Sequence, residues 1–333
     1  METVLKLTSL EEAYRAAHED AIIVDRSNLG ILKLTGKTRL DLIHRMSTQD
    51  IKDLSTGQGS ATVLTTDIGR MVDRLLLYAS NDAIYAVTGE NNAENVARYL
   101  MRFVFFQDDF HVEDLSDETK ILGVYGERAG DRLRDLFGDK VDLPLHHWRQ
   151  VSISGPRSGD EQAVLYIHRT DPVAGDGYFL MYDADDEEAV QSTLNDADLR
   201  AVGASAFNYL RIESGLPRYG QEITDEYIPL EAGLWDDVSF SKGCYTGQEI
   251  IARMESRGRL AKQLVQLRAE QAVEQGAKIK AEGKTVGTVT SSGDGPAGPL
   301  ALGYVKTRAL QETPETTLNA GDVSLTVTAV LGR

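Results

Sequence analysis

Cys244 is the only cysteine in a chain of 333 residues, and it sits in the stretch KGCYTGQEIIARMESRGR. A thiol acts as its thiolate, both a nucleophile and a metal ligand, which forms more readily near positive charge or a helix N-terminus. The sequence offers both. Thr246 and Glu249 have the three-residue spacing of a capping box, so a helix is expected to begin just behind the thiol. Ile250, Ile251 and Met254 would give that helix an apolar face, and Gly258 is placed to end it in a left-handed cap. Gly243 and Gly247 would permit a tight backbone around Cys244 and Tyr245. Lys242 precedes the cysteine, and Arg253, Arg257, Arg259 and Lys262 make a basic island. These residues leave two readings open: a reactive thiol beside an anion site, or a small buried hydrophobe.

The rest of the composition bounds what that thiol can serve. A lone cysteine excludes an intrachain disulfide and an all-cysteine metal site, and no metal centre is expected. His146 and His147 are neighbours, so on a strand they would face opposite sides, a poor geometry for a shared metal. Acidic residues number 52 against 35 basic ones, a net charge of −17. Such a surface repels nucleic-acid phosphates, so no direct nucleic-acid binding is expected. It fits a salt-adapted source or a plain acidic cytosolic protein equally. No apolar run has bilayer length and the start METVLKLTSLEEAYR lacks a signal-peptide core, so a cytoplasmic protein is expected.

The elements that must position these residues read as a mixture. Ser9 and Glu12 form a capping-box pattern for a helix over 9–19. AIIVDRS and GILKLTG read as strands, and KTRLDLIHRM as a helix. SATVLTT, MVDRLLLYA and AIYAVTG read as strands joined at turns, the first around Asp67 and Gly69, followed by a helix in NNAENVARYLMRF. A similar strand, turn and helix run recurs from ILGVYGERAGDRLRDLFG, then AVLYIHRT and YFLMYDA as strands and a helix near 186–195. Past Gly258 short strands dominate, the pattern of a small antiparallel barrel. This predicts an α+β fold, with residues 1–259 as two α+β subdomains and 260–333 as a C-terminal antiparallel β-barrel.

KGCYTGQE followed by ARxxxRG resembles the signature of the YgfZ family of folate-binding proteins, relatives of the glycine cleavage T-protein, an aminomethyltransferase. The resemblance covers most of the chain. DRSNLGILKLTGKTRLDLIHRMSTQDI is similar to the T-protein opening, TTDIGRMVDRLLLY to its hairpin, RTDPVAGDGYFL to its "RTGYTGEDGFE" loop, and YLRIESGLPRYGQEI to its "LRLEAGLxxYGxD" segment. It implies a three-domain cloverleaf of the GcvT/YgfZ type, with tetrahydrofolate or a one-carbon-substituted form in a central funnel and a β-barrel at the C-terminus.

The resemblance also implies site residues. Arg211 stands where the family uses an arginine near the folate, with an ion pair to Glu213 or Glu222 as the structural alternative. Leu29 and Phe207 fall where funnel-lining residues are expected. The hairpin's second acidic position is Arg74, leaving Asp73 as the candidate acid; the loop's glutamate position is Gly175, with Asp176 and Glu213 as candidate substitutes for the pteridine's carboxylate. Lys242 and Tyr245 are counted with the cofactor-binding residues, and Cys244 with Asp73 as catalytic. The implied function is support of iron–sulfur cluster assembly or repair, and thereby of tRNA-modifying enzymes, with iron–sulfur proteins or assembly factors as partners. The alternative is a folate-dependent aminomethyltransferase or methyltransferase, which leaves enzyme status open.

Overall fold

The computed structural model describes residues 8–154, 162–312 and 318–332. Helix α1 (Leu10–Glu19) starts at Ser9, whose hydroxyl accepts from the Glu12 N–H while the Glu12 carboxylate accepts from the Ser9 N–H. The reciprocal capping box expected there is present. Strands β1 (Ile22–Asp25) and β2 (Leu29–Thr35) and helix α2 (Arg39–Met46) follow. Next come β3 (Gly59–Thr65), β4 (Met71–Ala79), β5 (Ala83–Glu90) and helix α3 (Ala93–Met101). After β6 (His111–Asp114), the second run contains β7 (Thr119–Gly126), α4 (Ala129–Phe137) and β8 (Trp148–Ile153). It continues with β9 (Ala163–Arg169), β10 (Asp176–Asp183), α5 (Glu187–Leu194), β11 (Arg200–Ala201) and α6 (Ala204–Glu213). The adjacent histidines precede β8 in a turn, with His146 at φ 60°, so the strand geometry expected for them does not apply.

Two sheets result. One has the order β3-β4-β5-β2-β6 and the other β11-β1-β7-β10-β9-β8. In the second, β1 runs parallel to β11, and its other pairings are antiparallel. Alternation along β9 decides which side chains meet which layer. Leu165 and Ile167 join a core with Leu133 of α4 and Val190 of α5. Val164, Tyr166 and His168 therefore face away from the helices.

After a long irregular stretch come α7 (Gln248–Arg257) and then β12 (Lys262–Ala269), β13 (Lys278–Ala281), β14 (Lys284–Gly293) and β15 (Leu300–Lys306). Helix α8 (Thr307–Glu312), β16 (Leu318–Ala320) and β17 (Val323–Val330) complete the chain. The strands close into a barrel, β12-β15-β14-β13-β16-β17, antiparallel throughout its ladders. Its interior is filled by Val265, Leu267, Ile279, Ala301 and Val305. Closure removes free sheet edges, which suits a unit built from short strands.

By compactness the chain divides into two units. The first runs to Ile43 and adds Ile51–Ala61 and Leu75–Phe207; the second holds His44–Asp50, Thr62–Arg74 and Asn208–Arg333. The barrel thus shares a unit with the tip of the β3–β4 hairpin and with the cysteine segment, a grouping not visible from the boundary expected at 260.

Candidate functional site

The thiol of Cys244 is free and exposed. Of the two readings the sequence left open, burial as a small hydrophobe is excluded. Its loop is held on both sides. On one side Lys242, only 8% exposed, donates from Nζ to the carbonyls of His44 (2.6 Å), Ser47 (2.8 Å) and Gln49 (2.8 Å). An ammonium has three donors, and three carbonyls at the C-terminal end of α2 take them all. Burial pulls this lysine down to about 8, with the charge of Asp50 acting the other way. Lys242 is therefore a clamp between segments, with none of its three donors left for a ligand.

On the other side Thr65 Oγ1 donates to the Thr246 carbonyl at 2.6 Å, and the Thr246 N–H donates to the Arg45 carbonyl at 3.1 Å. The Thr246 hydroxyl points to the Met46 sulfur at 3.6 Å, so the expected Thr246–Glu249 capping box does not form. Helix α7 starts instead from Gly247 at φ 84°, with no side-chain cap. A Cβ on Gly247 would lie 2.5 Å from the Thr66 carbonyl oxygen, so only glycine lets the loop lie against the β3–β4 turn. Gly243 has ordinary φ and open space around it, so the tight backbone expected there is not needed. Gly258 ends α7 in the left-handed conformation as expected. Tyr245 is 8% exposed, packs with Ile228, Val238 and Ile251, and lies under Lys242 Nζ at 5.1 Å; burial pushes its phenol up to about 12. It holds the loop and does not face solvent.

The hairpin residues are equally committed. Asp73 has no exposed surface, and its Oδ1 accepts from the Arg74 N–H at 2.8 Å. Arg74 Nε donates to Asp237 Oδ2 at 2.6 Å, with its Nη2 at 3.4 Å from Oδ1. Where a second hairpin carboxylate would leave two like charges side by side, this chain has a cation with a partner that sequence reading did not find. Asp237 was invisible because it lies 163 positions away.

Arg211 takes its structural alternative. It is 3% exposed, with Nη1 on Glu222 Oε2 at 2.8 Å and Nη2 on Ser291 Oγ at 2.5 Å. Nε and Nη2 also donate to Asn208 Oδ1. Glu222 has no exposed surface and further accepts from Thr290 and Ser291 hydroxyls at 2.6 Å. This buried pair ties α6 to β14; the ligand-facing arginine expected at this position is not what the geometry presents. Glu213 is partly buried, and its carbonyl accepts from Gln266 Nε2 at 2.6 Å.

In the first unit, Asp176 pairs with Arg169, and its side chain is 41% exposed. Phe207, 7% exposed, lies beneath the Arg26 guanidinium at 4.5 Å and beside the Tyr125 ring at 5.1 Å. Leu29, 9% exposed, donates its N–H to the Arg26 carbonyl at 2.9 Å. Arg26 thus meets Phe207 through its guanidinium and Leu29 only through its backbone carbonyl, while Asp176 stays partly exposed beside Arg169.

A family model for the GCVT N-terminal domain matches residues 6–242, and one for the CAF17 C-terminal beta-barrel domain matches residues 262–330. An aminomethyltransferase of Thermus thermophilus is 30% identical over 307 residues, 91% of this chain and 84% of that protein. An Arabidopsis thaliana protein named "Putative transferase At1g60990, chloroplastic" is 28% identical over 302 residues, 90% of this chain and 68% of that protein. The crystal structure of glycine cleavage system aminomethyltransferase T from Bartonella henselae superposes with a TM-score of 0.81 at 23% identity, over 98% of this chain and 90% of that one. That match establishes a shared fold. No helix among the described residues is long and apolar enough to cross a membrane. The GCVT domain match and the CAF17-type barrel agree with the KGCYTGQE resemblance, and the chain belongs to the YgfZ/CAF17 family of GcvT-like proteins.

Proposed function

We propose that this chain is a cytoplasmic tetrahydrofolate-binding protein of the YgfZ type that supports iron–sulfur cluster assembly or repair, and through it tRNA-modifying enzymes. The observation that carries the proposal is the exposed Cys244 thiol on a loop pinned by Lys242 on one side and Thr246 on the other. Ordering the loop in advance removes an entropic cost from any contact the thiol makes. A thiolate presented this way can be one ligand to a cluster iron, the remaining ligands coming from a partner protein.

The folate half of the proposal rests on three residues of the first unit. Leu29 and Phe207 are nearly buried, so a planar ring reaches them only if the Arg26 guanidinium over Phe207 moves aside, while Asp176, 41% exposed beside Arg169, offers a carboxylate to ring N–H groups. Bound folate would supply a one-carbon unit or its acceptor. Arg211, Glu222, Asp73 and Lys242 hold segments of the second unit in place.

Two measurements test the halves separately. Calorimetric titration with tetrahydrofolate should show binding that weakens in Phe207→Ala and Asp176→Asn; no heat with the wild type sinks the folate half. In cells lacking the protein, wild type but not Cys244→Ser should restore an iron–sulfur-dependent tRNA modification. Equal restoration by both sinks the thiol half.

The aminomethyltransferase relatives favour a second reading, group transfer on folate. That chemistry needs an acid or base at the reacting nitrogen. Asp73 is its candidate, yet it is fully buried, and Arg74 is already paired with Asp237. Release of ammonia and methylene-tetrahydrofolate from an aminomethyl donor would establish this reading, and its absence would remove it.

A further inference from the structure

Between the two sheets of the first unit lies a cavity of about 260 Å³ that none of the expected site residues lines. Tyr78 and Tyr85 border it from one sheet, and Trp148, Tyr166, His168 and Tyr182 from the other. Six of its thirteen lining residues carry an aromatic ring; Asp183 and Asp186 also lie in the wall, accepting from the Asp185 and Val164 N–H groups. The polar atoms of two of these rings are engaged elsewhere: Trp148 Nε1 donates to the Ala79 carbonyl at 2.9 Å, and the Tyr182 hydroxyl to Glu187 Oε2 at 2.8 Å.

His168 is different. It is 3% exposed, and both ring nitrogens lack a hydrogen-bond partner among the described residues. Its ring stacks near-parallel to Trp148 at 5.9 Å and meets Tyr78 edge-on at 4.1 Å. Phenylalanine would fill this place without the penalty of an unsatisfied buried polar group. An imidazole kept there without a protein partner, in the wall of a cavity, is a group whose partner arrives from outside.

The chemistry of the partner follows from the walls. Burial holds the imidazole neutral, its pKa pushed down to about 3, so it presents one donor and one acceptor and no charge. Flat aromatic walls select a flat ligand. The volume lies just under the range of about 300–1,000 Å³ typical of drug-sized ligands, which admits one or two fused rings without a long tail. We propose that this cavity binds a planar heteroaromatic ring of at most bicyclic size, and that His168 makes its polar contact. The ring can come from a free small molecule or from the headgroup of a folate; the proposal does not depend on the folate reading.

The chain has two tryptophans, so in the Trp235→Phe variant the fluorescence comes from Trp148 in the cavity wall. The full chain carrying that change would be titrated with pterin and with indole. Saturable change in Trp148 emission with pterin is expected, weakened about tenfold by His168→Phe, the factor carried by one hydrogen bond. Indole, with a single donor, should bind more weakly than pterin. If His168→Phe does not fold, the ¹⁵N shifts of His168 in the wild type supply the readout, since a bound ring must move them. Competition between tetrahydrofolate and pterin at Trp148 identifies a folate headgroup, and independent binding identifies a free ligand. No response at Trp148 to either ring, unchanged affinity in His168→Phe, or unmoved ¹⁵N shifts overturns the proposal.

Discussion

Replacing His168 with phenylalanine should flatten the acid limb of the protein's stability. In the folded chain burial pushes this imidazole from its ordinary 6.5 down to about 3, whereas in the unfolded chain it titrates normally. Between those values the unfolded state binds a proton that the folded state refuses, so acid favours unfolding. The contribution is fully present above pH 6.5 and is lost as pH falls towards 3. Each pH unit in that window costs about 1.4 kcal/mol, so descent from pH 7 to pH 5 removes about 2 kcal/mol through this residue alone. Urea unfolding of wild type and His168→Phe at both pH values, followed by ellipticity, reads it as a difference of differences. Carboxylates titrate alike in both proteins and cancel. Phenylalanine keeps the ring contacts with Trp148 and Tyr78. Wild type should lose about 2 kcal/mol more than the variant over this interval. Equal losses, within about 0.5 kcal/mol, would refute a neutral buried imidazole and with it the charge argument for the cavity.

Two further outcomes follow from the second unit. Lys242→Met leaves the His44, Ser47 and Gln49 carbonyls without their shared donor. Unsatisfied buried groups cost about 1–3 kcal/mol each, so a loss of about 3 kcal/mol or more is expected, with faster hydrogen exchange across 241–247. A loss under about 1 kcal/mol would show that the clamp contributes little. Arg211→Met strands the fully buried Glu222 carboxylate and should cost about 3–5 kcal/mol in denaturant unfolding, partly recovered by adding Glu222→Gln. Without that recovery, the loss comes from the packing of α6 and not from the stranded charge.

Local patterns carried most of the fold. Ser9 and Glu12 are close in sequence and cap α1 by themselves, and alternation placed β1 to β5 and the barrel strands. Alternation failed to distinguish a strand with one covered face from β9, which has helices behind Leu165 and a cavity before His168. The cue was present in LYIHR, where aromatic and polar residues fill the face opposite the aliphatic ones. The Thr246–Glu249 pattern misled for a related reason. A capping box is a local preference worth about 1 kcal/mol, and contacts from Arg45, Thr65 and Met46 outweighed it.

What the residues determined by themselves was an α+β chain ending in a small barrel, one thiol, and a family whose motifs run in order along it. Whether that thiol was buried or exposed, and whether each nearby charge faced a ligand or a partner, depended on the tertiary structure. Arg211, Arg74 and Lys242 look alike in sequence as available cations, yet each is engaged by Glu222, Asp237 or backbone carbonyls brought from elsewhere in the chain. His168 looks like an ordinary strand residue, yet it is left without a protein partner among the described residues. The reason is reach: caps and alternation act over a few residues, while the pairing of a buried polar group is decided by whatever the fold packs against it.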